Sequence, residues 1–142
     1  VLELCPNKCI GIDINEFTVE YCKSRGLKAK IGNVYDIPFE DDSFDSVILS
    51  NVLEHLENPE KAIMEIRRVL KNDGILFISV PTMLGFKLDK THKIFWSKRK
   101  LTEFLINHGF QIKKKFYYPI PIPILRDLIY FNELRVICKK SQ

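Results

Sequence analysis

The sequence predicts an α/β fold, a mostly parallel sheet with helices on both faces, and three observations within Gly32–Thr82 predict it. Ser46–Leu49 and Ile75–Val80 are continuous apolar runs, as strands covered on both faces require. Between them Asn58-Pro59-Glu60 opens a helix whose apolar residues Ala62, Ile63, Ile66, Val69 and Leu70 fall at helical spacing. A strand, a helix and a second strand in that order make a right-handed parallel crossover. Ligands of such sheets bind beyond the carboxyl ends of the strands, here Ser50-Asn51 and Pro81-Thr82.

The other elements follow in order. Val1–Leu4 is apolar but too short to type, and Pro6-Asn7 is a turn signal. Cys9–Ile14 reads as a buried strand. Asn15 then caps a helix, with Glu16 in the first turn where the dipole favours an anion. Gly26 stands where a left-handed C-cap residue is needed. Leu27, Ala29 and Ile31 alternate with Lys28 and Lys30, so the next strand is half exposed and near an edge. The loop Asn33–Phe44 holds the acidic run Glu40–Asp42, and Asp45–Ser50 is the following strand. Asn51–Glu57 reads as a short helical turn, and Asn72-Asp73-Gly74 ends the Asn58 helix. Met83–Phe95 reads as a long irregular connection. Ser97 caps a helix carrying Leu101, Phe104 and Leu105, and Gly109 ends it. Phe110–Tyr118 and Glu133–Lys139 read as two strands of a hairpin, interrupted by Pro119–Pro123 and the amphipathic stretch Ile124–Phe131. The 142 residues suit a single domain, 1–142, with β-α-β-β-α-β-α-β-β order.

Composition narrows the function classes. No run of about 18 apolar residues exists, and Val1–Lys8 lacks a signal layout, so the expected location is cytoplasmic. Of four cysteines, Cys5 and Cys9 make at most half a zinc site, and nothing nearby completes it; no metal is expected. The net charge of +4 divides into −5 for residues 1–86 and +9 for residues 87–142. A basic portion can meet an anionic substrate, a nucleic acid or a membrane surface, but a solvated lysine-rich face is the preferred reading.

The residues able to carry chemistry lie at strand ends. Asp13 closes the first strand, where a carboxylate either accepts from two ribose hydroxyls or caps the following helix. Asn33 opens the next loop, either to pair with a nucleobase edge alongside the backbone of Val34 and Tyr35, or as a turn asparagine. Ser50 and Asn51 end the third strand and His55 follows one turn later, as a base, a substrate contact or a structural histidine. Glu40–Asp42 has metal-ligand types but reads as a solvated loop.

Together these strings resemble a family. CIGIDIN, followed by GNVYDIPFEDDSFDSVILSNVLEHLENPEKAIMEIRRVLKNDGILFISVPT, is similar to the class I S-adenosylmethionine-dependent methyltransferases, especially their type 11 branch. The match covers about half the chain in order, and HKIFWSKRKLTEFLINHGFQI resembles that family's ending. The resemblance implies a Rossmann-like sheet and S-adenosyl-L-methionine as cofactor. It implies that Asp13 holds the ribose hydroxyls and Ile14 packs on the adenine. Asn33, where the family usually has Asp, would meet the adenine amino group, with Val34 giving a backbone contact. Ser50 and Asn51 would line the methionine moiety, and His55 would sit on the substrate side. The implied reaction is in-line transfer of the sulfonium methyl, in which proximity does much of the catalysis. No catalytic residue is named.

One departure is large. The family's cofactor site begins with G-x-G-x-G, and no two of the six glycines here are so close. The expectation is therefore a domain incomplete at its N-terminus, lacking the first strand and the glycine-rich loop. That strand lies between those ending at Asp13 and Ser50, so its loss leaves two neighbours with open edges. Three function readings stand. The first is a methyltransferase acting on a small-molecule acceptor, the second an inactive or partner-dependent fragment that binds no cofactor alone, the third another nucleotide-binding α/β domain such as a dehydrogenase. The apolar insert Pro119–Phe131 either covers the core or caps the acceptor pocket and admits a hydrophobic acceptor.

Overall fold

The computed structural model describes residues 2–122 and 132–141, so the stretch Ile124–Phe131 lies outside the described residues. The chain divides into two compact units, residues 1–39 and 40–142.

The first unit is a parallel pair, β1 (Gly11–Asp13) and β2 (Ala29–Ile31), joined by α1 (Glu16–Ser24). Asn15 caps α1, its side chain accepting from the backbone N–H of Phe17 and Thr18. The helix ends through Gly26, whose φ of +72° is the left-handed conformation that glycine adopts freely. Leu2–Leu4, too short to type from sequence, forms a 3₁₀ turn. Ile14 (75% exposed) and Phe17 (86%) leave an apolar surface open on this unit.

The second unit is a four-stranded sheet of order β3-β4-β6-β5. Its strands are β3 (Phe44–Ser50), β4 (Leu70–Pro81), β5 (Phe110–Tyr118) and β6 (Glu133–Lys140). β3 and β4 run parallel around α2 (Pro59–Val69), the crossover read from the sequence. β6 runs antiparallel to both β4 and β5. Among the described residues β1 pairs only with β2 and β3 only with β4.

The core of this unit follows from register. Leu76 faces Cys138, Ile78 faces Val136 and Val80 faces Leu134. All six are buried, joined by Ala62, Ile63, Ile66 and Val69 of α2. Each valine, leucine or isoleucine among them contributes about 1.5–3 kcal/mol by leaving water. Leu101 and Leu105 of α4 (Lys98–Asn107) and the adjoining Trp96 and Phe110 are buried as well.

Two segments differ from expectation. Asn72-Asp73-Gly74 does not separate helix from strand. β4 begins at Leu70, which pairs with Phe44, and the chain bulges before Ile75 pairs with Ser46. Asp73 takes a left-handed φ of 65° in that bulge, and a Cβ on Gly74 would stand 2.8 Å from the Lys71 carbonyl. The connection after Val80 is not irregular throughout, since α3 (Met83–Leu88) forms in it. Beyond α3, Lys93 and Ile94 both donate backbone N–H to the Glu54 carbonyl, which fastens the connection to the turn Leu53–His55.

The acidic loop also has partners. Asp41 pairs with Arg68 at 2.8 Å, and Asp42 pairs with Lys140 at 2.9 Å. Both carboxylates stay largely exposed, at 74% and 54%, so the loop is solvated as read and is also tied by ion pairs.

Candidate functional site

Each unit carries candidate residues at its own strand ends. In the first, Asp13 is half-buried at the end of β1, and its Oδ1 accepts from the Asn15 N–H at 2.8 Å. That is the turn contact, and it uses one of the two oxygens. Asn33 is exposed, and its Oδ1 accepts from the Tyr35 N–H at 3.0 Å, the arrangement of a turn asparagine. The carbonyl expected to meet an adenine amino group is thus already engaged, with one lone pair to spare. Ile14 is exposed beside Asp13, and Val34 is half-buried.

In the second unit a cleft of about 250 Å³ opens at the carboxyl ends of β3 and β4, where open parallel sheets bind ligands. Ser50 and Asn51 stand at the first end. The Ser50 and Ser79 hydroxyls lie 2.8 Å apart across the two strands. Asn51 turns the chain with a φ of 51°, which asparagine tolerates better than most residues. Its Nδ2 donates to Glu133 at 2.7 Å, and the Arg135 Nε donates to the other Glu133 oxygen at 3.0 Å. On the far wall Asn132, fully buried, accepts from the Ile120 N–H and donates to its carbonyl.

The floor of the cleft is Glu54, which composition and spacing did not single out. Its side chain is 1% exposed, and neither carboxylate oxygen has a hydrogen-bond partner among the described residues. Burial pushes its carboxyl above the ordinary carboxylate range, and the nearby His55 and His92 oppose that shift. The Nε2 atoms of His55 and His92 lie 4.0 and 3.9 Å from Glu54 Oε1, and the two rings are 4.6 Å apart.

A chain of hydrogen bonds orients both rings. The Thr91 hydroxyl donates to Asp89 Oδ1 at 2.6 Å, since a carboxylate only accepts. The same hydroxyl lies 3.1 Å from His55 Nδ1 and so must accept there, which puts the proton on Nδ1. The Phe86 carbonyl, 3.0 Å from His92 Nδ1, demands a proton there too. Hydrogen bonds from Thr91 hold the Asp89 carboxyl below its ordinary range. Of the sequence candidates, this cleft gathers Asn51 and His55; Asp13, Ile14, Asn33 and Val34 belong to the other unit. His92 and Asp89 lay in the stretch read as irregular.

An α/β chain with polar residues gathered at the carboxyl ends of its parallel strands belongs to a broad ligand-binding class. Comparison with known proteins narrows it. Residues 1–78 match the family model of a methyltransferase domain. An uncharacterized protein of Methanocaldococcus jannaschii is 32% identical over 123 residues, covering 87% of this chain and 56% of that one. A probable S-adenosylmethionine-dependent methyltransferase of Mycolicibacterium smegmatis is 31% identical, covering 75% of this chain and 44% of that one. The chain thus spans about half the length of these relatives. A SAM-dependent methyltransferase structure from Archaeoglobus fulgidus superposes with a TM-score of 0.80 at 20% identity, covering 98% of this chain and 80% of that one. The fold is that of the class I methyltransferases, and the chain belongs to the methyltransferase domain family, type 11 branch.

Proposed function

We propose that the chain acts as an S-adenosyl-L-methionine-dependent methyltransferase on a small-molecule acceptor. The observation that carries this reading is the family match, which runs through residues of both units. The residues fit the cofactor in kind. Asp13 keeps its second oxygen for ribose hydroxyls, and the exposed Ile14 offers an apolar surface to the adenine. Asn33 and Val34 offer an amide and a backbone N–H to the ring edge. Ser50 and Asn51, at the end of β3, would contact the methionine portion, and His55 would face the acceptor.

When bound, S-adenosylmethionine supplies an electrophilic methyl group on a sulfonium. The residues of this chain then hold and orient, and close approach of the two reactants does much of the catalysis. Four free cysteines agree with a reducing compartment, and we place the protein in the cytoplasm on that ground. Among the described residues no helix is long and apolar enough to cross a membrane.

The test is calorimetric titration with S-adenosylmethionine and S-adenosylhomocysteine, using the chain as it stands and the same chain extended by a glycine-rich first strand and loop. Binding by either form, weakened about 10–100-fold by Asp13→Ala, is expected. Binding of a nicotinamide dinucleotide instead, or an affinity indifferent to Asp13→Ala, would refute the proposal.

A further inference from the structure

We propose that Glu54, His55 and His92 form a binding site for a divalent transition-metal ion with a preference for nitrogen and oxygen ligands. The inference does not depend on methyl transfer. One oxygen of Glu54 and one ring nitrogen of each histidine lie within 4.8 Å of one another. Two imidazoles and one carboxylate are a donor set suited to zinc and to iron(II) or cobalt(II).

Three further observations point to a cation rather than to chance proximity. First, Glu54 is 1% exposed and neither oxygen has a hydrogen-bond partner among the described residues. A buried carboxylate left so is costly unless a positive charge meets it. Second, both histidines hold their Nδ1 protons on outward partners, the Thr91 hydroxyl and the Phe86 carbonyl. Each ring therefore turns its other nitrogen, Nε2, toward Glu54, at 4.0 and 3.9 Å from Oε1. Third, a ligating histidine needs its other ring nitrogen held in place, and these outward hydrogen bonds hold it, with Asp89 anchoring one of them through Thr91. Ligand bonds of about 2.0–2.2 Å need each side chain to move by under about 1 Å. Three protein ligands leave coordination positions open toward the cleft, where an anionic oxygen or sulfur can enter.

The experiment uses tag-free full chain stripped with chelator, titrated with Zn²⁺ by calorimetry and with Co²⁺ by visible absorption. One equivalent per chain is expected, with the cobalt spectrum showing nitrogen and oxygen ligation. Glu54→Gln, which keeps side-chain shape, and His92→Ala should each weaken binding at least tenfold. Asp89→Asn should weaken it less, and His108→Gln should leave it unchanged. Circular dichroism of each variant controls for folding. The proposal is overturned if no stoichiometric binding occurs, or if folded Glu54→Gln binds as well as the parent chain. It is equally overturned if nitrogen NMR of the metal-free chain finds imidazolium at these histidines and added Zn²⁺ leaves their signals unmoved. Loss of S-adenosylmethionine binding leaves the metal titration unaffected, so the two proposals fail separately.

Discussion

Asn51 does two jobs at one position. It carries a left-handed backbone, and its amide ties the end of β3 to Glu133 at the start of β6. Asn51→Ala should lose both and lower unfolding free energy by about 1–2 kcal/mol in urea titration. Asn51→Gly, which restores only the backbone freedom, should recover part of that loss. Equal stability of the alanine variant and the parent would show that neither feature matters. Cys138 makes a separate prediction. Burial pushes its thiol up to about 12. An acid whose pKa is raised by folding is held neutral in the fold, so the thiol stays protonated as pH rises from about 9 toward 12. At pH 8 roughly one molecule in 10⁴ carries the thiolate. Cys5 is exposed, so iodoacetamide should label it quickly and Cys138 only on unfolding. Labelling at equal rates in native protein would contradict this.

At the scale of elements, what is local was legible and what is assembled was not. The caps Asn15, Asn58 and Ser97 were readable because each accepts from an N–H two or three residues ahead. Asn58→Ala should therefore cost about 1 kcal/mol by urea denaturation and Asn58→Ser almost nothing. Gly109 was readable as a helix stop, and its φ of +80° agrees. Its second constraint was hidden: a Cβ there would stand 2.7 Å from the Arg67 Nε. Gly109→Ala should cost at least about 1 kcal/mol in the same titration. The helix α3 was missed because Thr82 gives it no side-chain cap hydrogen bond and its first turn has no acid. The start of β4 was missed because Asn72-Asp73-Gly74 is turn chemistry, and only the pairing of Phe44 with Leu70 makes it a bulge. His55 could be marked from its place after a strand. Its partner His92 is 37 positions away and is brought near by two backbone hydrogen bonds onto Glu54, which no spacing encodes.

For the molecule as a whole, the charge division and the open strand edges matter most. The +9 of residues 87–142 is partly spent on ion pairs, among them Lys93 with Glu57, Lys139 with Asp73 and Lys140 with Asp42. The edge of β3 is a different matter. Ile48 is 48% exposed on a strand that pairs on one side only among the described residues. Such edges pair with other chains unless charge interrupts them. Ile48→Lys should reduce concentration-dependent light scattering of the chain, and unchanged scattering would argue against edge association.

The order of the second sheet also governs how the protein can be made. β6 lies between β4 and β5 yet is synthesised after both. Cys138 must meet Leu76, 62 positions earlier, across that sheet. At about 5–20 residues per second, a ribosome needs about 3–12 s to deliver the intervening chain. During that interval β4 waits with one flank unfilled and β5 has no partner. The nascent chain therefore holds β4 open for seconds, and chaperone demand should peak just before β6 emerges.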